Sequence, residues 1–74
     1  MKITVKLFAT FRIGRFTQEE RDYAPGTTVA QVAEQLELNP PDLGIMLVNS
    51  RHVKLDHVLR DGEVLALFPL LGGG

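Results

Sequence analysis

The sequence predicts an α+β domain in which a single helix packs across a mixed β-sheet. Three observations carry that expectation. Lys2 to Phe8 alternates polar and apolar residues, with Ile3, Val5 and Leu7 on one face, the period of a strand buried on one side. Val29, Val32, Ala33 and Leu36 recur at i, i+3, i+4 and i+7, the stripe of an amphipathic helix. Ile45 to Asn49 and Glu63 to Phe68 are apolar runs of strand length, too short for helices of their own.

The chain has 74 residues, enough for one domain with a marginal core. It contains no cysteine, so disulfides, thiolate metal sites and thiol nucleophiles are excluded and stability rests on apolar packing. The 45% hydrophobic content makes that feasible. Eight Lys/Arg against nine Asp/Glu give a formal charge of −1 without blocks of like charge, so neither nucleic acid nor a membrane surface is expected as partner. No apolar run is long enough to span a bilayer, and no apolar segment of signal-peptide length follows Met1 to Thr4. A cytoplasmic location is the default expectation.

Taken in order, the first strand is followed by a loop from Ala9 to Arg15 containing Gly14. Phe16 to Tyr23 is mostly polar and alternates weakly, which suits a strand near a sheet edge, where charge discourages pairing with other chains. Pro25-Gly26 is turn punctuation. Thr28 and Gln31 have the spacing of a capping box, a hydroxyl at the N-cap and an amide at N3. The helix they start runs two to three turns and is expected to stop at Asn39-Pro40-Pro41-Asp42, because proline cannot continue the hydrogen-bond ladder. Ile45 to Asn49 reads as a central strand. Ser50 to His52 reads as a turn, with Val53-Lys54 returning as a brief strand. Asp61-Gly62 is a strong turn signal, and Glu63 to Phe68 is the last strand, closed by Pro69. The first and last strands are apolar enough to lie side by side at the centre of a sheet of four to five strands.

The chain ends Pro69-Leu70-Leu71-Gly72-Gly73-Gly74. Residues 1–68 are therefore expected to form the domain and 69–74 a flexible tail. Three glycines carry no Cβ and pay a high entropic cost to be ordered, so they suit either a frayed end or a thin lead for one carboxylate at Gly74.

Three stretches resemble the MoaD/ThiS group of sulfur carriers, small proteins of the ubiquitin-like β-grasp fold. Leu7-Phe8-Ala9-Thr10-Phe11-Arg12 resembles the opening "LFAxxR" of MoaD. Val48-Asn49, followed by Leu55 to Val64, resembles its "VN … DHxLxDGDEV" stretch. Phe68 to Gly74 resembles the ending "FPPVxGG". There are departures. Ile13 stands where MoaD usually has glutamate, Leu70 replaces the second proline, and Gly72 fills the variable position before the glycine pair.

The resemblance implies a fold, a reaction and partners. The Gly74 carboxylate would be adenylated by a MoeB-like enzyme using ATP and converted to a thiocarboxylate. Gly72 and Gly73 would thread it into the partner. A MoaE-like large subunit of molybdopterin synthase would take the sulfur, or, in a ThiS-like pathway, the thiazole of thiamin would. The chain would bind no cofactor itself, carry no catalytic side chain, and be a monomer alone and a heteromer with its partner. Adenylation needs a water-excluded site, since an acyl-adenylate hydrolyses readily. From Leu70 to Gly74 an extended chain spans at most ~17 Å, enough for a buried channel. Pro69, Leu70 and Leu71 are candidate docking anchors with Phe68 and Arg12, although Phe68 also suits completion of the core and Arg12 a solvated surface.

Other residues carry less. His52 and His57 lack the third ligand that a metal site needs, and the single serine, Ser50, has no nucleophile-elbow context. A protein modifier joined to lysines through Gly74, and an interaction module with an inert tail, remain the competing functions.

Overall fold

The computed structural model describes residues 1–70. Its elements are β1 (Lys2–Leu7), β2 (Gln18–Asp22), α1 (Val29–Gln35), β3 (Leu43–Val48), β4 (Arg51–His52) and β5 (Val64–Pro69). Short 3₁₀ turns cover Ala9–Arg12 and Pro40–Asp42. The sheet order is β2-β1-β5-β3-β4. The central pair β1·β5 is parallel, and the other pairs are antiparallel. This is the mixed five-stranded sheet with one helix of a β-grasp, as the sequence predicted.

Alternation decides which side of the sheet is core. Ile3, Val5 and Leu7 on β1 and Leu65 and Leu67 on β5 are fully buried. They meet Val29, Val32 and Ala33 of α1, also buried, so the period-two and 3.6-residue patterns close on each other. The helix starts as expected. Thr28 Oγ1 accepts from Gln31 N–H at 3.3 Å, while Gln31 Oε1 accepts from Thr28 N–H at 2.9 Å. It ends sooner than expected, at Gln35, with Leu36 as C-cap and Glu37 at φ +60°. The prolines do not stop it; they sit in the separate turn Pro40–Asp42. What helps to close the helix end is Arg15, whose guanidinium donates to Leu36 O at 2.9 Å and Glu37 O at 3.4 Å. A cation there also meets the negative end of the helix dipole.

Two further expectations are corrected. The first loop contains a 3₁₀ turn that buries Phe11. The brief strand is Arg51–His52, not Val53-Lys54, because the hairpin turns on Asn49 and Ser50, at φ +49° and +68°. Two successive positive-φ residues make the tight turn whose twist suits a hairpin.

The landmarks between Asp56 and Val64 hold β5 in place. Lys2 N–H donates to Asp61 Oδ1 at 2.7 Å and Gly62 N–H to Lys2 O at 2.8 Å. Val29 N–H donates to His57 O at 3.0 Å, and Arg60 N–H donates to Glu63 Oε1 at 2.6 Å. Among the described residues no helix is long and apolar enough to cross a membrane.

Candidate functional site

The helix covers one face of the sheet, and the other carries a continuous apolar strip. Register builds it. On β5 the residues alternate with Leu65 and Leu67, so Val64, Ala66 and Phe68 point away from the helix. Phe68 is paired with Ile45 of β3, and Ala66 lies between Leu47 of β3 and Lys6 of β1. Phe8 follows β1 and donates its N–H to Leu67 O at 3.2 Å, which brings its ring beside Phe68. The two rings stack with centroids 4.1 Å apart and planes at 7°.

Arg12 joins this stack from the first loop. Its guanidinium carbon lies 5.3 Å from the Phe8 ring centroid, within cation–π range, and its Nε donates to Leu7 O at 2.8 Å. The side chain is therefore held at the rim of the strip rather than free in solvent. Phe8, Leu47, Val64, Ala66 and Phe68 line a shallow depression with Lys6 at its edge. The result is an apolar centre with cations at its border, the layout of a protein-docking surface with a polar rim.

Phe68 thus completes no core on the helix side; strand alternation gives it to the uncovered face. Pro69 turns back inward and is buried, paired with Leu43. Leu70 is 62% exposed, and its N–H donates to Asp42 O at 2.8 Å. Leu71, Gly72, Gly73 and Gly74 lie outside the described residues.

The structure brings Arg12 and Phe68 together through Phe8, and leaves Pro69 and Leu70 one and two residues further on. Sequence reasoning missed Phe8, Ile45 and Leu47 as members of the same face. Phe8 was legible as the outward position after Leu7. Ile45 and Leu47 were hidden in a run that is apolar on both faces, although Ile45 is 44% exposed.

Of the histidines, His52 pairs with Leu47 on the edge strand β4 and so borders the strip on this face. His57 sits in the 53–63 loop with Nε2 3.6 Å from Glu63 Oε1. Among the described residues no group of three His, Cys, Asp or Glu side chains is placed to hold a metal ion.

Residues 5–74 match the ThiS family. No curated protein matches the chain. Among solved structures, a Pyrococcus furiosus protein described as molybdopterin converting factor subunit 1 is 29% identical, with a TM-score of 0.76 over 93% of this chain and 97% of that one. SAMP1 from Haloferax volcanii is 23% identical, with a TM-score of 0.74 over the whole of both chains. A chain in the complex of subunits 1 and 2 of molybdopterin-converting factor from Helicobacter pylori is 17% identical, with a TM-score of 0.67, again over both whole chains. At the last two identities the likeness is one of fold.

Proposed function

The chain belongs to the ThiS family, and from that premise we propose that it is a sulfur carrier acting through the carboxylate of Gly74. The observation that carries this reading is the placement of Leu70, where β5 ends beside an apolar face that the helix leaves uncovered. A carrier needs a surface for its partner to grip and a terminus free of side chains to enter the partner's reaction centre. Phe8 and Phe68 offer the first, with Arg12 at the rim. The sequence Gly72-Gly73-Gly74 offers the second.

The chemistry divides between the partners. A MoeB-like enzyme joins the Gly74 carboxylate to the α-phosphate of ATP, releasing pyrophosphate. A sulfur nucleophile at the sulfide level then attacks the acyl carbon. The C–S bond forms, the C–O bond to AMP breaks, and a thiocarboxylate remains. The chain contributes no acid, base or metal to these steps; its part is delivery, orientation and exclusion of water once docked. These 74 residues hold no cysteine and so offer no persulfide route, which favours the Gly74 carboxylate as the sulfur-bearing group.

We infer that the sulfur goes into the dithiolene of molybdopterin as that compound is made on a MoaE-like large subunit. Support comes from the 29% identity to the Pyrococcus furiosus protein and from the shared fold with a subunit of the Helicobacter pylori complex. The fold is equally that of SAMP1, so attachment to lysines through Gly74 is separated by chemistry, not architecture.

The test is intact-mass spectrometry after incubation with the activating enzyme, ATP and a sulfur source. One oxygen should be exchanged for sulfur, and deletion of Gly74 should abolish the exchange without altering the circular dichroism spectrum. An unchanged mass with an enzyme active on its own carrier would defeat the carrier reading. Glycine remnants on lysines that depend on this chain would favour the modifier.

A further inference from the structure

Gly44 stands where no side chain fits. A Cβ built there would lie 2.7 Å from Pro69 O, 2.9 Å from Leu70 Cα and 3.0 Å from Leu70 N. All three are backbone atoms, so none can swing aside as the tip of a flexible side chain would. The demand is spatial rather than torsional. Gly14, Gly26 and Gly62 have positive φ with no atom within 4 Å of such a Cβ, whereas Gly44 is crowded without being left-handed.

The neighbours of Gly44 grip the same two residues. Leu43 pairs with Pro69. Proline has no N–H to give to the ladder, so the next donor along the chain is Leu70, and its N–H reaches Asp42 O at 2.8 Å. The β3·β5 register shifts between Leu43 and Ile45, and bulges of this kind re-aim a strand. Three consecutive residues, Asp42 to Gly44, therefore hold the last paired residue of β5 and the one after it.

We propose that Asp42–Gly44 is a clamp that fixes where and in what direction the chain leaves the sheet, with Gly44 the positioning residue for the reaction at Gly74. This rests on the sulfur-carrier reading. With Leu70 held, only Leu71 to Gly74 remain to reach the reacting atoms, at most ~14 Å of extended chain. The partner that fits has its reaction centre no deeper than that below the surface on which Phe68 docks. A fixed base also lowers the ordering cost of threading, the usual advantage of preorganisation.

Two measurements on the full chain and on Gly44→Ala test the clamp. The first needs no enzyme: hydrogen exchange of the Leu70 amide by NMR. The clamp predicts protection in the wild type and a loss of about tenfold or more in G44A, because a local opening replaces a held hydrogen bond. The second is the kinetics of thiocarboxylate formation with the activating enzyme. G44A should raise KM about tenfold with kcat within about twofold, the pattern of lost binding rather than lost chemistry. A Leu70 amide that exchanges freely in the wild type overturns the clamp, and that result stands even if G44A does not fold. Normal wild-type turnover with an unchanged KM in G44A overturns the positioning role alone. No thiocarboxylate from the wild type, with a proven enzyme, overturns the carrier reading and leaves the exchange result to be judged by itself.

Discussion

Phe8 and Phe68 stack face to face, 4.1 Å between centroids, on the side of the sheet that the helix does not cover. Neither ring is needed to fill the core, since Leu7 and Leu67, their neighbours in sequence, are fully buried there. Stacked pairs contribute about 0.5–1.5 kcal/mol beyond area burial, so the pair does stiffen the face. The larger consequence is for docking. Aromatic anchors at the centre of an interface commonly cost 2 kcal/mol or more on truncation. Phe68→Ala should therefore lower stability by at least about 1 kcal/mol, yet weaken binding to the proposed MoaE-like partner by roughly thirtyfold or more. Urea unfolding and isothermal titration calorimetry give the two numbers. Equal affinity for wild type and F68A would remove this face from the docking surface.

Asn49, in one of the stretches that carry the resemblance, has a structural role. Its N–H donates to Val64 O at 2.9 Å, and its side-chain Oδ1 accepts from Val64 N–H at 2.9 Å, so the side chain extends the β3·β5 ladder beyond the last paired residues. It does this from φ +49°, a region that asparagine tolerates better than most residues. Asn49→Gly keeps the backbone conformation and loses the side-chain bond. Asn49→Ala loses the bond and adds left-handed strain. Denaturant midpoints should fall in the order wild type, N49G, N49A, with losses of about 1 and about 2 kcal/mol. A reversed order would mean that the turn conformation is not what asparagine supplies.

These residues also show why some features were legible in the sequence and others were not. Local rules sufficed where one residue type has one use: the Ile3-Val5-Leu7 alternation, the Thr28–Gln31 box and the Asp61-Gly62 turn. They failed where two uses compete. Ser50 rarely takes positive φ, so the sequence places the turn one position late and β4 two positions late. Ile45 to Val48 is apolar at every position, which conceals that Ile45 and Leu47 face away from Met46 and Val48. Asn39 to Asp42 reads as a helix stop, but the helix had already ended near Arg15, which lies more than twenty positions before Glu37 in the chain. The glycine-rich end stands out in the sequence, whereas the contacts that Asp42 to Gly44 make with Pro69 and Leu70 do not. Gly44 looks like any strand glycine until Pro69 and Leu70 are placed against it.

Tyr23 gives the fold a dependence on alkaline pH. The ring is buried at the end of β2, where burial raises the phenol's pKa above its ordinary value, and Arg21, whose Nε donates to the phenolic oxygen at 2.9 Å, pulls part of the way back. A raised pKa means that the folded chain keeps its proton at a pH where the unfolded chain has lost it. The unfolded state then binds fewer protons, so stability falls as pH rises. The contribution is intact below the ordinary phenol value of about 10 and is lost as pH climbs through the folded value. Lys2 titrates in the same range, raised by its exposed pairing with Asp22 and Glu20, so the wild-type curve alone does not isolate the phenol. Comparison with Tyr23→Phe does. Urea unfolding between about pH 9 and pH 11 should show a steeper decline for the wild type than for Y23F. As the chain has one tyrosine, its phenolate absorbance should report a midpoint shifted upward in the folded state and restored in urea. Parallel pH profiles for the two proteins, or a folded midpoint at the ordinary value, would mean that the ring's burial places no penalty on the phenolate.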